Sequence, residues 1–301
     1  MTFISRIFSK SLCRLRPDLR LLCLLNYCTS KYGRFVGMDV HDTAKQGYQE
    51  GSFYDANRPS YTDEAVDKIL ELIRKIELPK EQANSLQYDI VELGAGTGKF
   101  TTKLIEKLQS EKFLATEPSE DFVNTMKKHG IDALQCVAHD LPLRDNSVKG
   151  IVGAECFHWF ADVKSLTEIN RVLVPNGLLV LVWNRKDQAV PWVDELLKSV
   201  ETYMGDSPPP QYFDMKWKDV FKHVKSIQHV QDYRLQGIIF EGSADILLDN
   251  LFSKSYMSKM STEEKMKARE KLLKVVQKHH GNSSNIDVPS YTIIHLYKKI
   301  N

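Results

Sequence analysis

The stretch VELGAGTGKF, residues 91–100, contains three glycines in the spacing Gly-x-Gly-x-Gly. An apolar run leads into the first glycine, and an acid, Glu92, stands two residues before it. Glycine is needed where a chain turns sharply from a strand into a helix, and where backbone must approach a ligand without an intervening Cβ. The N–H groups of such a turn and of the following helix favour an anion. The stretch therefore predicts a ligand-binding turn between a strand and a helix.

Apolar runs alternate with amphipathic segments on both sides of this turn. The runs predict strands at residues 89–93, 113–116, 135–137, 150–154 and 178–183. Helices are predicted between them, with one before the first strand at 63–77 and one at 162–173 that the turn 175–177 (Pro-Asn-Gly) ends. This alternation is typical of an α/β fold with a doubly wound, Rossmann-like parallel sheet covered by helices on both faces. Ligands bind beyond the carboxyl ends of the strands in such sheets.

The last third of the chain predicts additional elements. Residues 243–260 and 262–280 look like two helices, the second with a capping box from Ser261 to Glu264. The closing segment, 291–297, alternates enough for an edge strand. We expect residues 186–301 to contribute cap helices and the last strands rather than an independent domain.

Charge divides the chain of 301 residues into two regions. Residues 1–37 hold seven Lys or Arg and one acid, a net charge of +6, which leaves −4 for residues 38–301. An acidic body lacks the electrostatic footprint of a nucleic-acid-binding protein. No run approaches the roughly 20 uncharged apolar residues of a membrane-spanning helix. We therefore expect a basic N-terminal extension, a single domain over 38–301, and no membrane span.

The extension has the composition of a mitochondrial presequence. It is rich in Arg and Ser, nearly free of acid, and carries apolar residues between its charges. The alternatives are an inert extension, or translation that begins at Met38. Location is accordingly mitochondrial or cytoplasmic.

No metal site is predicted. The body has two cysteines, Cys136 and Cys156, without the Cys/His spacing of zinc sites. His279 and His280 are adjacent and would point apart on a helix. Isolated cysteines of this kind are usually small buried side chains.

The glycine stretch also limits the choice of ligand. The dinucleotide fingerprint requires a third glycine where this chain has Lys99, and Phe100 after that lysine excludes a phosphate-binding P-loop. Glu117 ends the second predicted strand, 19 residues beyond Gly98, where a carboxylate can accept both ribose hydroxyls of a nucleoside. This acid does not distinguish S-adenosylmethionine from NAD. A nicotinamide oxidoreductase and a non-catalytic cofactor-binding protein therefore stay open as alternatives.

Several segments together carry a resemblance to a known family. In chain order they are ELGAGTGKFT, ATEPSEDF, AHDLPLRDNSV, ECFHWF and EINRVLVPNGLLVLVWN. They resemble a class I S-adenosylmethionine-dependent methyltransferase of type 11, in the small-molecule group similar to trans-aconitate-type methyltransferases. The segments YDANRPSYTDEAV and VPSYTIIHLYKK are similar to that group's amino-terminal segment and last strand. The likeness runs from about Met38 to the end of the chain.

The resemblance implies a mostly parallel seven-stranded sheet with a helical cap, and S-adenosyl-L-methionine as cofactor. It implies cofactor contacts from Glu92, Gly94, Ala95, Gly96, Gly98, Glu117, Pro118, Ala138 and His139. The glycine turn would line the methionyl side, Glu117 would hold the ribose, and Ala138 with His139 would lie beside the adenine. His139 departs from the family, which more often has an acid there.

For the residues that would contact the methyl acceptor, the sequence leaves alternative roles open. His158, just beyond the fourth strand, is a candidate general base or a pocket wall, and Arg58 could clamp a carboxylate of the acceptor or the cofactor. The predicted acceptor pocket consists of Tyr61, Phe157, Trp159 and Phe160. We expect a small-molecule acceptor, favour a carboxylate that needs no base, and expect no nucleic-acid partner. The protein would be a monomer or a homodimer.

Overall fold

Seven strands form the central sheet of the protein, whose computed structural model describes residues 60–206 and 208–300. The strands are β1 (Tyr88–Leu93), β2 (Phe113–Glu117), β3 (Ala133–Gln135), β4 (Val148–Ala154), β5 (Leu173–Lys186), β6 (Ile227–Gln236) and β9 (Ser290–Lys299), and a separate ribbon pairs β7 (Phe240–Gly242) with β8 (Ile286–Val288). Their order in the sheet is β3-β2-β1-β4-β5-β9-β6. β1 to β5 pair in parallel, and β9 runs antiparallel to both of its neighbours. The predicted α/β class and the doubly wound, mostly parallel seven-stranded sheet are confirmed.

Helices cover the sheet and build the cap. They are α1 (Asp63–Arg74), α2 (Lys80–Ser85), α3 (Lys99–Ile105), α4 (Glu120–Lys128), α5 (Val163–Val172), α6 (Pro191–Glu201), α7 (Ala244–Phe252), α8 (Ser255–Ser258) and α9 (Thr262–His280). Several begin where a short polar side chain accepts a hydrogen bond from an N–H of the first turn, as at Thr62, Ser119, Asp162, Ser243 and Ser261. Such a cap stabilises a helix by about 1 kcal/mol. The predicted capping box of Ser261 and Glu264 is confirmed at the start of α9.

Two apolar layers sandwich the sheet. On one face, Ile90 and Val152 pack with buried side chains of α1 and α3. On the other face, Val91 and Ile151 pack with buried side chains of α5. Successive strand side chains point to opposite faces, so strands covered on both sides must be apolar at nearly every position. This explains the continuous apolar runs in the sequence.

A third apolar cluster lies in the cap. It joins α6, α7 and α9 to the ribbon through buried side chains that include Leu196 and Leu247. Residues 186–301 contain α6 to α9 and β6 to β9. All of the described residues belong to one compact unit, Val40–Asn301. The predicted boundary between residues 37 and 38 lies outside the described residues and stays a prediction.

The prediction of an edge strand near the end of the chain is wrong. β9 lies between β5 and β6, and the edge is β6, which the sequence pattern did not reveal. The alternation of residues 291–297 indicated an edge strand, but the polar residues Thr292 and His295 are buried. They are accommodated by hydrogen bonds to Asn184 and Asp232, because a buried polar group costs little once it is paired.

Other elements differ from prediction at their boundaries. The third strand ends at Gln135 instead of starting there. The single helix expected over 243–260 is two helices, because Lys254 is extended (φ −65°, ψ 141°) and the Ser253 hydroxyl bonds back to the Asn250 carbonyl at 2.7 Å. Within the described residues, no helix is both long and apolar enough to cross a membrane.

Candidate cofactor and acceptor site

The predicted turn joins the end of β1 to the start of α3. Gly94, Gly96 and Gly98 have φ angles of +63°, +60° and +91°, which L side chains rarely adopt. The Ala95 N–H donates to the Thr116 carbonyl at 3.0 Å, which ties the turn to β2. The prediction of a glycine-dependent turn is confirmed.

The three glycines meet different surroundings. A Cβ at Gly94 would lie 2.9 Å from the Cβ of Cys156, and one at Gly98 would lie 3.1 Å from Cγ of Met126. Among the described residues, no atom lies within 4 Å of the position of a Cβ at Gly96. Gly94 and Gly98 are thus required for packing within the protein, whereas Gly96 borders open space that a ligand could occupy.

The carboxylate of Glu117 lies directly beside this open space. Oε2 accepts a hydrogen bond from the Gly96 N–H at 2.9 Å, and Oε1 accepts one from the Ser119 N–H at 2.9 Å. A carboxylate oxygen can accept two hydrogen bonds. The geometry therefore lets each oxygen accept a further bond from a ligand, such as one from each of two neighbouring hydroxyls.

Glu92 lies beneath the turn, where it is only 1% exposed. Its Oε2 accepts a hydrogen bond from the Thr101 hydroxyl at 2.7 Å, which links β1 to α3. Its backbone carbonyl accepts another from the Thr116 hydroxyl at 2.8 Å. The structure thus gives Glu92 a supporting position, and its direct contact with a cofactor stays a prediction.

Burial sets the electrostatics of the two acids. It raises the pKa of Glu92 to about 8 and that of Glu117 to about 7, because an apolar environment disfavours the charged form. The same burial raises the pKa of the Cys156 thiol, which donates to the Leu93 carbonyl at 3.0 Å. A cationic ligand in this site would favour ionisation of both acids.

The residues predicted beside the adenine follow β3. Ala138 and His139 are partly buried in a tight loop that is closed by a bridge between Val137 and Asp140. Gln135 donates to the carbonyl of Pro118 at 3.1 Å, which holds this loop region near the end of β2. Sequence reasoning did not identify Gln135, because a lone glutamine in a short strand carries no distinguishing signal.

His158 lies beyond β4 in a short 3₁₀ helix, Phe157–Trp159. The indole N–H of Trp183, at the carboxyl end of β5, donates to Nδ1 of His158 at 3.3 Å. A neutral imidazole whose Nδ1 accepts a hydrogen bond carries its proton on Nε2. His158 is therefore oriented as a hydrogen-bond donor at Nε2.

The residues predicted to line the acceptor pocket differ in their burial and in their distance from the glycine turn. Phe157 is fully buried and packs against Phe160 and Trp217, with ring centroids 5.4 and 6.1 Å away, so it belongs to the core, and its role in an acceptor pocket stays a prediction. Phe160 and Trp159 are partly exposed, and the Phe160 ring lies 3.7 Å from the Cβ position of Gly94. This places Phe160 next to the glycine turn.

The amino-terminal residues of the predicted pocket are described only from residue 60. The ring of Tyr61 is buried edge-on against Phe100, with centroids 5.0 Å apart. Arg58 lies outside the described residues, and its role as a carboxylate clamp stays a prediction. The neighbouring Ser60 is held by its carbonyl, which accepts a hydrogen bond from the Asn184 side chain at 3.0 Å.

Two site residues were missed although they lie in the quoted motifs. Glu155, at the end of β4, has a φ of +59°, a strained value for a residue with a side chain. Its Oε1 accepts a hydrogen bond from the Asn184 N–H at 2.6 Å. Asn184 in turn binds Ser60 and Thr292. Together they fasten the carboxyl ends of β4 and β5 where an acceptor would enter.

Comparison with known families identifies this arrangement. Residues 91–181, from the glycine turn into β5, match the family described as a methyltransferase domain. These residues form a class I methyltransferase domain. The cofactor of this domain is S-adenosylmethionine, and the nicotinamide alternative is therefore set aside.

Curated relatives of the methyltransferase domain come from several organisms. An uncharacterised methyltransferase-like protein of Schizosaccharomyces pombe is 36% identical over 172 residues, which cover 56% of this chain and 62% of the relative. An uncharacterised methyltransferase of Mycobacterium bovis is 34% identical over 48% of this chain and 54% of the relative. A Homo sapiens protein named probable tRNA methyltransferase 9B is 27% identical over 46% of this chain and 32% of the relative. The chain thus spans less than two thirds of the length of these relatives.

A solved structure supports the fold of the methyltransferase domain. A methyltransferase from Anaeromyxobacter dehalogenans superimposes with a TM-score of 0.55 and 16% sequence identity, covering 81% of this chain and 97% of that chain. At this identity the likeness concerns the fold alone.

Proposed function

We propose that the protein transfers a methyl group from S-adenosylmethionine to the carboxylate of a small-molecule acid. The observation that carries the proposal is the Glu117 carboxylate, which is bonded to the Gly96 N–H and borders the open space above that glycine. A nucleoside ribose presents two adjacent hydroxyls, and this carboxylate can accept from both. The rest of the cofactor extends from this anchor in two directions.

The remaining cofactor contacts follow from the loops around Glu117. The methionyl part would lie along the turn of Gly94, Ala95 and Gly96, above the buried Glu92. The adenine would lie beside Ala138 and His139, with Pro118 between it and the ribose. His139 stands where the family more often has an acid, so the contact proposed from this position to the adenine comes from the backbone.

Positioning supplies most of the expected rate enhancement. S-adenosylmethionine brings a methyl group on a sulfonium: the acceptor oxygen forms the new O–C bond while the C–S bond breaks and its electron pair stays on sulfur. The protein must hold donor and acceptor in line and exclude water, which is worth up to about 7–11 kcal/mol. Phe160 and Trp159 would supply the apolar wall beside the glycine turn.

The position of His158 supports a carboxylate acceptor. Its Nδ1 accepts from Trp183 and its proton is on Nε2, so it cannot take a proton from an acceptor while that bond is kept. A hydroxyl or an ammonium would need a base to lose its proton, whereas a carboxylate does not. The Nε2–H of His158 would instead donate to a carboxylate oxygen and orient it, with Arg58 as the second clamp.

The experiment uses the full chain, S-adenosylmethionine labelled in its methyl group, and small acids extracted from cells that lack the protein. Methyl esters hydrolyse in mild alkali and release volatile labelled methanol, whereas methyl ethers and methylamines do not. We expect alkali-labile label with the wild-type chain and with Glu120→Ala, an exposed neighbour, and much less label with Glu117→Ala when the cofactor is limiting.

Three other outcomes would each overturn part of the proposal. Alkali-stable label in the small-molecule fraction would exclude the carboxylate. Cofactor binding without label in any fraction would favour the non-catalytic alternative. Ribonuclease-sensitive label, when total tRNA is offered in place of the small acids, would instead indicate the acceptor named for the 27%-identical relative, against the net charge of −4 on residues 38–301.

A further inference from the structure

Two histidines and an aspartate meet at the β6–β9 edge of the sheet. Oδ1 of Asp232 lies 2.7 Å from Nε2 of His229 and 2.7 Å from Nδ1 of His295. The three atoms all lie within 4.8 Å of one another. In the part of the chain that the structure describes, this is the group of His, Cys, Asp or Glu side chains whose atoms converge closely enough to share an ion.

A β-bulge brings His229 onto this face. Residues three apart on a regular strand point to opposite faces. In β6, His229 pairs with Tyr297 and Gln231 pairs with Leu296, so Val230 is an extra residue between them. Its insertion turns His229 to the same side as Asp232, which pairs with His295. Bulges commonly re-aim side chains at binding sites.

The second nitrogen of His295 is also engaged. His295 is buried, and its Nε2 lies 3.1 Å from the Tyr212 hydroxyl. Metal-binding histidines usually bond their other ring nitrogen to a protein group, which fixes the orientation of the ring. His229 and Asp232 are exposed enough for an ion and its water to reach them.

We propose that His229, Asp232 and His295 bind one divalent transition-metal ion of the Zn²⁺ class, with water completing its coordination. Two imidazole nitrogens and one carboxylate oxygen form a ligand set that suits Zn²⁺. Nδ1 of His295 would give up its proton, and Nε2 would take one up beside the Tyr212 oxygen. Since the ligands come from both β6 and β9, the ion would fasten the edge strand to the sheet.

The site can be tested on the untagged full chain after dialysis against a chelator, with no cofactor or acceptor present. Co²⁺ is added as a spectroscopic substitute for Zn²⁺, and visible absorption and melting temperature are recorded. We expect one equivalent of Co²⁺, a visible band of a low-coordinate site, and a higher melting temperature. His229→Ala and Asp232→Asn should weaken binding by at least about tenfold. His129→Ala, which changes an exposed histidine at the end of α4, should bind as the wild type does.

The competing interpretation is a hydrogen-bonded network without an ion. It would be established if the wild-type chain gave neither a visible band nor a rise in melting temperature. Equal Co²⁺ affinity in the wild type and in the His229→Ala and Asp232→Asn variants would equally overturn the proposal. Both substituted side chains are partly exposed, and circular dichroism would verify that each variant is folded.

Discussion

Glu117 concentrates the proposed ribose contacts in one side chain. We expect Glu117→Ala to weaken S-adenosylmethionine and S-adenosylhomocysteine binding by one to two orders of magnitude, because charge-assisted bonds to two hydroxyls are worth about 1.5–3 kcal/mol. Titration calorimetry would measure the effect, with Glu120→Ala as a control of wild-type affinity. Unchanged affinity in Glu117→Ala would move the ribose contact to another residue.

The same side chain makes cofactor affinity depend on pH. Burial raises the pKa of Glu117 to about 7, so its ionised fraction decreases as the pH falls through neutrality. The ionised form is the stronger acceptor for ribose hydroxyls. We expect affinity to fall about tenfold between pH 8 and pH 6, and calorimetry at both values should detect this. Glu117→Gln should show a much flatter profile, and a flat wild-type profile would contradict the expectation.

Substitution of His158 tests whether this side chain orients the acceptor or acts as a general base. A base would lose about 10²–10⁴-fold in turnover on substitution, whereas a hydrogen-bond donor can be replaced by an amide. We expect His158→Gln to keep more than about a tenth of the wild-type kcat and to raise the KM for the acceptor. With saturating cofactor, the kcat of neither enzyme should fall as the pH drops through the ordinary imidazole pKa of about 6.5. A larger loss of kcat in His158→Gln, together with a fall of the wild-type kcat at acid pH that the variant lacks, would instead indicate that His158 acts as a base.

At the scale of elements, α1 packs on β4 at a position that leaves no room for a side chain. A Cβ at Gly150 would lie 2.8 Å from Cδ1 of Ile73 and 2.9 Å from its Cγ1. We expect Gly150→Ala to lower the free energy of unfolding by about 1–3 kcal/mol, as urea denaturation would measure. Ile73→Val removes Cδ1, so the double variant should be less destabilised than the sum of the single variants. Strict additivity would argue against this contact.

At the scale of the whole molecule, we propose that residues 1–37 direct the domain to mitochondria. Fused to a fluorescent reporter, they should place it there, and changing Arg6, Arg14, Arg16 and Arg20 to Glu should abolish the effect because a presequence must be basic. The matched control changes the same four residues to Lys and should retain targeting. A diffuse cytosolic signal from the unaltered fusion would favour translation from Met38 or an inert extension.

Local features of the chain could be predicted because neighbouring residues create them. The glycine turn follows from the absence of Cβ atoms at three closely spaced positions, and the capping box of α9 follows from a serine and a glutamate three residues apart. Glu117 could be located from its distance to the turn, because successive parallel strands end at the same edge of the sheet. These features require no knowledge of distant contacts.

The sequence by itself therefore determined the α/β class, the glycine turn and the position of Glu117. Only the tertiary structure decided that β9 is interior, that Gly96 alone among the three turn glycines borders open space, and that His158 accepts from Trp183. It also decided that His229 and Asp232 meet His295. Each of these depends on a partner remote in the chain, and a residue type alone does not specify which distant side chain folding brings against it.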